Sequence, residues 1–268
     1  MPIVFLMQQA SYIGPGDLFP DAEFWGGLRG YNSISAATNM PAINVRRDSD
    51  NADMDIVVLN DGTLDVATAT TFASGANLFV TTLYDQSGFG LNAIQGTNAT
   101  QPQLHLSGGP ASSLPYMSFN GSQFLRASGA LTGNTGSTSF MSQRTANFTT
   151  LQSVAGCLSG IGVGHPAVAN EVYSYAGTLT TATAIDSTWH AVQTTYNGAS
   201  SIIMVDGSSV MADPGGATGG DAPTIGDGPL GGEPVTGYIF EVGLWNPVLS
   251  GAQASELNAA QHALGGGW

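Results

Sequence analysis

The sequence predicts an all-β fold, a two-sheet antiparallel sandwich carrying a few short helices. Three observations lead there. Tyr238, Phe240, Val242 and Leu244 alternate with Ile239, Glu241, Gly243 and Trp245, the period-two pattern of a strand with one face in a core. Val205-Asp206-Gly207-Ser208 holds the Asp-Gly pair that tight hairpins favour, because both turn residues take positive φ. Thirty-seven glycines and thirteen prolines in 268 residues suit many short strands joined by turns.

The other elements follow in chain order. Residues 1–20 read as an N-terminal arm or edge strand: Ile3 to Met7 is apolar, and Gly14-Pro15-Gly16-Asp17 favours a turn. Residues 21–268 form the sandwich domain, a length an all-β domain reaches undivided. Phe24, Trp25, Leu28 and Tyr31 are spaced like one helical face and belong to the core. Ile43–Arg47 reads as a strand, Asp65 caps a short helix to Phe72, and Leu78–Tyr84 is a strand rich in β-branched and aromatic residues. Asn120-Gly121 predicts a hairpin between 116–119 and 123–126. Further strands are expected near 137–141, 148–154, 171–176 and 179–185. Ser250 and Gln253 make a capping box for a helix through Ala254, Leu257, Ala260, Gln261 and Leu264, which Gly265-Gly266-Gly267 stops.

Charge narrows the function classes. Nineteen carboxylates face five arginines and no lysine, a net charge of -14. That weighs against nucleic acid and against an anionic membrane surface, since each phosphate contact needs a cation. Neutral glycans, cations and basic protein surfaces remain compatible. Cys157 is the only cysteine, which rules out an intrachain disulfide, and it reads as a small buried hydrophobe. The four histidines lack zinc spacing. The apolar start has no basic n-region and stops at Gln8-Gln9, so neither a signal peptide nor a membrane span is expected.

Two sets of blocks resemble known families. Trp189-His190-Ala191-Val192, then Val205-Asp206-Gly207, Ile225-Gly226, Gly237 to Asn246 and Leu249-Ser250 stand in the order found in the laminin-G-like and pentraxin-like branch of the concanavalin-A-like jelly rolls. The resemblance implies a jelly-roll arrangement of the two sheets. In the first half, Val45 to Ile56 (with Arg46-Arg47-Asp48-Ser49-Asp50-Asn51), Leu64-Asp65-Val66-Ala67 and Phe79 to Ala93 (with Tyr84-Asp85-Gln86-Ser87-Gly88) resemble the sandwich domain of the α-L-arabinofuranosidase B family. Phe89 and Leu91 depart from that family's loop. Domains with the same blocks also occur in virion proteins of tailed bacteriophages.

The second resemblance implies candidate chemistry. In the arabinofuranosidase family the nucleophile is a Glu with an aromatic at the fourth place and Gly six residues on, which Glu171, Tyr175 and Gly177 match. The acid is an Asp in a glycine-rich turn, which Asp227 matches between Gly226 and Gly228. The family's vicinal cysteine pair has no counterpart here, and Val168-Ala169-Asn170 lacks its acidic approach. Asp85, Gln86 and Asp227 are candidate sugar contacts, with a capped turn as the other role for Asp85 and Gln86. Asp48, Asp50, Asp53 and Asp55 put four carboxylates within eight residues. Calcium is the ion they would take, although the EF-hand pattern fails at Ala52; Arg46 and Arg47 are their alternative partners. No other cofactor is expected.

The expected function is that of a non-catalytic bacteriophage virion protein, a capsid decoration, fibre or tail-associated component that binds carbohydrate. Its expected partners are other virion proteins or further copies of itself, and a cell-surface glycan. Its expected location is the virion, otherwise the cytoplasm. The alternative is a retaining glycoside hydrolase resembling α-L-arabinofuranosidase B.

Overall fold

Strands dominate the chain, as the alternation and the turn signals require. The computed structural model describes residues 12–127, 129–132, 136–145, 150–157, 161–167, 170–183, 186–212, 221–228 and 232–264. Most of the arm, 1–11, and the carboxyl-terminal Gly265 to Trp268 lie outside the described residues. After a one-turn helix α1 (Pro15–Leu18) come β1 (Ala22–Gly27), α2 (Ser33–Ala37), β2 (Pro41–Arg47), β3 (Asp53–Val57), α3 (Val66–Ala73), β4 (Leu78–Leu83) and β5 (Ala93–Ile94). A 3₁₀ turn at Asn98–Thr100 leads to β6 (Gln103–His105), β7 (Tyr116–Asn120), β8 (Leu125–Ala127) and β9 (Ser137–Arg144). Next are β10 (Gln152–Cys157), β11 (Ile161–His165), β12 (Glu171–Tyr175), β13 (Leu179–Thr183) and β14 (Trp189–Thr195). The chain ends with β15 (Ile202–Val205), β16 (Ser208–Ala212), β17 (Pro223–Ile225), β18 (Thr236–Trp245) and α4 (Gly251–Leu264).

All ladders between these strands are antiparallel, and they run unbroken in the order β16-β15-β14-β9-β18-β7-β6-β4-β5-β8-β17-β10-β11-β12-β13. β1 lies on β18 beyond β7, and the β2–β3 pair hangs on β4. The two expected layers are therefore one continuous sheet, curled until β13 comes beside β16. β4 makes the link, because its two ends pair with different strands, Leu78-Phe79 with β6 and Thr82-Leu83 with β5. Inside the curl, Phe140, Ile239 and Val242 pack into one core with Val154, Val163 and Val172.

Two local expectations change. The segment around Phe24 and Trp25 is strand β1, with Phe24 in the main core and Trp25 in a smaller one beside Tyr31 and Trp245. Aromatics buried on both faces of a strand mimic helical spacing. Asn120-Gly121 also does not close a hairpin: β7 pairs with β6 and β18, whereas β8 pairs with β5 and β17. Only Gly121 takes positive φ; Asn120 Oδ1 accepts from Ser122 N and Oγ, and Gln123 Oε1 accepts from the Asn120 N–H. That side-chain-capped turn hands the chain from one layer to the other.

Other readings hold. Asp206 and Gly207 both have positive φ and join β15 to β16. The Asp65 side chain accepts from Thr68 N at the start of α3. Ser250 and Gln253 exchange hydrogen bonds at the start of α4. The inner face of α4 carries buried Asn258 and Gln261 beside Ala254 and Leu257. Asn258 donates to Ala191 O, and Gln261 donates to Glu241 while accepting from Gln193 and Ser139. Glu241, fully buried, also receives both arms of Arg29, at 2.5 and 2.8 Å.

His190 pins the β14–β15 hairpin. Its Nδ1 stands 2.6 Å from Asp206 and its Nε2 3.2 Å from Asp186. Burial disfavours the imidazolium, but the two aspartates outweigh it and raise the pKa above its ordinary 6.5. A raised pKa gives a contribution that is complete below the unfolded value and lost as pH rises through the folded one. The melting-temperature advantage of the native protein over His190→Gln should therefore shrink from about pH 6 upward. A gap that widens with pH would contradict this account.

Candidate functional site

Glu171 opens β12, half-buried and paired across the ladder with Thr183. Among the described residues its carboxylate makes no hydrogen bond or ion pair. Period-two alternation puts Tyr173 and Tyr175 on the same face of that strand. Tyr173 is fully buried, and its hydroxyl meets Ser153 Oγ and lies 3.5 Å from Glu233 Oε2. Ser153 Oγ donates to the same carboxylate oxygen at 2.8 Å. Burial, and then the charge of Glu233, push the Tyr173 pKa well above its ordinary range, so the phenol stays a proton donor.

Asp227 stands at the end of the turn after β17. Gly226 takes positive φ there, and a Cβ on Gly228 would run into Glu233. Asp227 Oδ1 accepts from Gly228 N at 2.8 Å and Glu233 N at 3.0 Å. Among the described residues Oδ2 makes only a loose 3.5 Å contact with Arg126 Nη2. The turn thus joins Asp227 to Glu233, and Glu233 joins Tyr173, two residues from Glu171. Sequence reasoning missed Ser153, Tyr173, Arg126 and Glu233. A glycine-rich approach to a carboxylate, Gly231-Gly232-Glu233-Pro234, is the one local signal. The partners meet only through pairing of β8, β10, β11, β12 and β17.

Asp85 and Gln86 lie elsewhere and are buried. Asp85 accepts from Trp25 N, Ser87 N, Ser87 Oγ and Leu91 N, which ties the 85–92 loop to β1. Gln86 accepts from Tyr31 N and donates to Gly27 O and Arg29 O. Both side chains act as turn caps, with their polar atoms committed to the chain. Asp85→Ala should cost about 2–3 kcal/mol, read from denaturant midpoints at unchanged slope, because it strands buried N–H donors.

The four aspartates of the 48–55 stretch disperse. Asp48 binds Asn77 N and Nδ2, and Asp55 binds Asn44 Nδ2 and Tyr84 OH. Asp50 forms a two-armed pair with Arg47, which holds its pKa down to about 2, helped by the Ala52 N–H. Asp53 is exposed beside a cleft containing Arg46. Among the described residues no group of three or more His, Cys, Asp or Glu side chains is placed to hold a metal ion. Calcium needs about six oxygens converging on one point; here the arginine and amide groups compete for them.

Comparison with known proteins agrees with this architecture. Residues 31–115 match the family described as "Alpha-L-arabinofuranosidase B, catalytic". That stretch contains Asp85 and Gln86 but ends before Glu171. No curated protein matches the sequence. Among solved structures, an arabinofuranosidase complexed with arabinofuranosyl-α-1,2-xylobiose superposes with TM-score 0.67 at 14% identity, over 92% of this chain. A GH54 α-L-arabinofuranosidase soaked with a cyclic sulfate inhibitor gives TM-score 0.66 at 13% identity, again over 92% of this chain. The chain spans 64% of the length of each. The fold is a mostly antiparallel, jelly-roll-like β structure like theirs. No described helix is long and apolar enough to cross a membrane.

Proposed function

We propose that this domain is a retaining glycoside hydrolase acting on arabinofuranosyl groups, with Glu171 as nucleophile and Asp227 as general acid. One observation carries the reading: a half-buried carboxylate with no partner among the described residues shares a strand face with Tyr173, whose hydroxyl leads to the Glu233–Asp227 turn. Retaining hydrolysis uses two carboxyl groups about 5–5.5 Å apart. One attacks the anomeric carbon while the glycosidic C–O bond breaks and the other protonates the departing oxygen. Water, deprotonated by the second residue, then frees the sugar. The family match over 31–115 and the arabinofuranosidase-like fold support the reading. Release of nitrophenol from 4-nitrophenyl α-L-arabinofuranoside tests it. Turnover lost in Glu171→Gln is expected; an inert native protein would overturn it.

A second reading rests on the same turn. Asp227 is bonded to Gly228 N and Glu233 N like a structural clamp, which suits a non-catalytic, two-sheet concanavalin-A-like module. Such a module would serve in a phage virion, bound to other virion proteins or its own copies and to a cell-surface glycan. It predicts glycan binding without turnover, unchanged by Glu171→Gln.

A further inference from the structure

A cleft of about 240 Å³ opens where β2, β4 and β5 meet the 3₁₀ turn, walled by Asn44, Arg46, Asp53, Thr82, Gln95 and Asn98 among others. Arg46 is its chemical centre. It is only 8% exposed, and its known partners are neutral. Nε donates to Gln101 Oε1 at 2.9 Å, Nη1 donates to Asn51 Oδ1 at 3.0 Å, and the guanidinium lies over the Phe79 ring at 5.1 Å. Among the described residues no carboxylate comes within ion-pairing distance of it, although Asp53 sits directly opposite in the β2–β3 ladder. Nη2 makes no hydrogen bond among the described residues. A buried cation normally has an anionic partner, since neutral acceptors offset only part of its lost hydration.

The surrounding wall is rigid and rich in polar groups. Asn44 is held by Thr81 and Asp55, and Gln95 by Thr97 N and Phe124 O. Such fixed side chains lower the entropy cost of binding. Asn98 Nδ2 makes only a long 3.4 Å contact with Asn51, so it can turn to a ligand. Ile94, 48% exposed, supplies an apolar edge on which the C–H face of a sugar ring can rest.

The geometry points to Arg46 as the anchor of a second ligand site, one that takes the carboxylate of a sugar acid of the uronic type. The planar guanidinium suits a carboxylate, while Thr82 and Asn98 face the ring hydroxyls. The size of the cleft sets one monosaccharide unit as the occupant. Glu171 and Asp227 take no part in this cleft, so the inference stands or falls independently of the hydrolase reading.

Calorimetric titration of the intact chain with D-galacturonate and D-glucuronate tests it, with D-galactose and acetate as controls. The uronates should bind at least about tenfold more tightly than either control, and Arg46→Gln should weaken them by about tenfold or more. Asp53→Asn, at the exposed rim, removes a rival and repelling carboxylate. It should tighten uronate binding by about threefold, which keeps the test open if Arg46→Gln does not fold. Galactose or acetate binding as tightly as the uronates would overturn the assignment. So would uronate affinities that neither substitution moves.

Discussion

Glu241→Gln should destabilise the domain by about 3–5 kcal/mol, because it leaves Arg29 as a buried charge without its counter-ion. The amide preserves shape and removes only charge and acceptor capacity. Glu241 Oε2 takes Arg29 Nε, while Oε1 takes both Arg29 Nη2 and Gln261 Nε2. A glutamine has one carbonyl oxygen for these three donors, and its NH₂ would face another donor. Burial opposes the charge on Arg29, but Glu241 overcomes it and raises the arginine pKa, so the cation persists throughout the accessible pH range. Replacing both partners, Arg29→Met with Glu241→Leu, should cost far less than either single change. Equal losses in the single and double variants, read from urea unfolding, would show that packing and not charge sets the cost.

If the domain is the proposed hydrolase, Asp227→Asn and Glu171→Gln should separate the two proposed roles by their dependence on the leaving group. Loss of a general acid costs about 10²–10⁴-fold where the departing oxygen needs its proton. For an arabinofuranosyl-xylan linkage, Asp227→Asn should therefore lower kcat/KM by about that factor. For a 4-nitrophenyl glycoside the effect should be much smaller, because nitrophenolate leaves without protonation. Glu171→Gln would remove the proposed nucleophile and should abolish both reactions alike. Equal damage to the two substrates by Asp227→Asn would assign Asp227 to the fold of the turn.

The strands were legible where one residue in two had to be apolar, as in β18, and where a turn demanded positive φ, as at Asp206-Gly207. Local capping was legible too, since Asp65 and Ser250 act within one helical turn. Pairing partners were not. Asn120-Gly121 has the composition of a hairpin, but the flanking strands find better edges on β18 and β17, a choice decided by residues about a hundred positions away. The candidate site was half legible. Glu171 and Asp227 are candidates through the arabinofuranosidase resemblance alone, whereas Tyr173, Ser153 and Glu233 gain meaning only once β10, β11 and β12 lie side by side. Asp85 and Gln86 could be read as turn caps or as sugar contacts, because exposed turns and buried turn caps use the same polar residues; their hydrogen bonds to Trp25, Leu91 and Tyr31 show the capping role. The aspartates of 48–55 left both a cation site and arginine pairing open, because spacing does not reveal which amide or arginine reaches each one first; Arg47 takes Asp50.

β18 holds β9 along one edge and shares its other edge between β1 and β7. During synthesis β1 must wait for more than two hundred further residues to leave the ribosome before β18 emerges, and β9 must wait for about a hundred. At about 5–20 residues per second, that is several seconds or longer with unpaired strand edges exposed. Nascent chains that stall before Thr236 should accordingly be prime clients for holdase chaperones, and emergence of β18 should trigger a single late collapse.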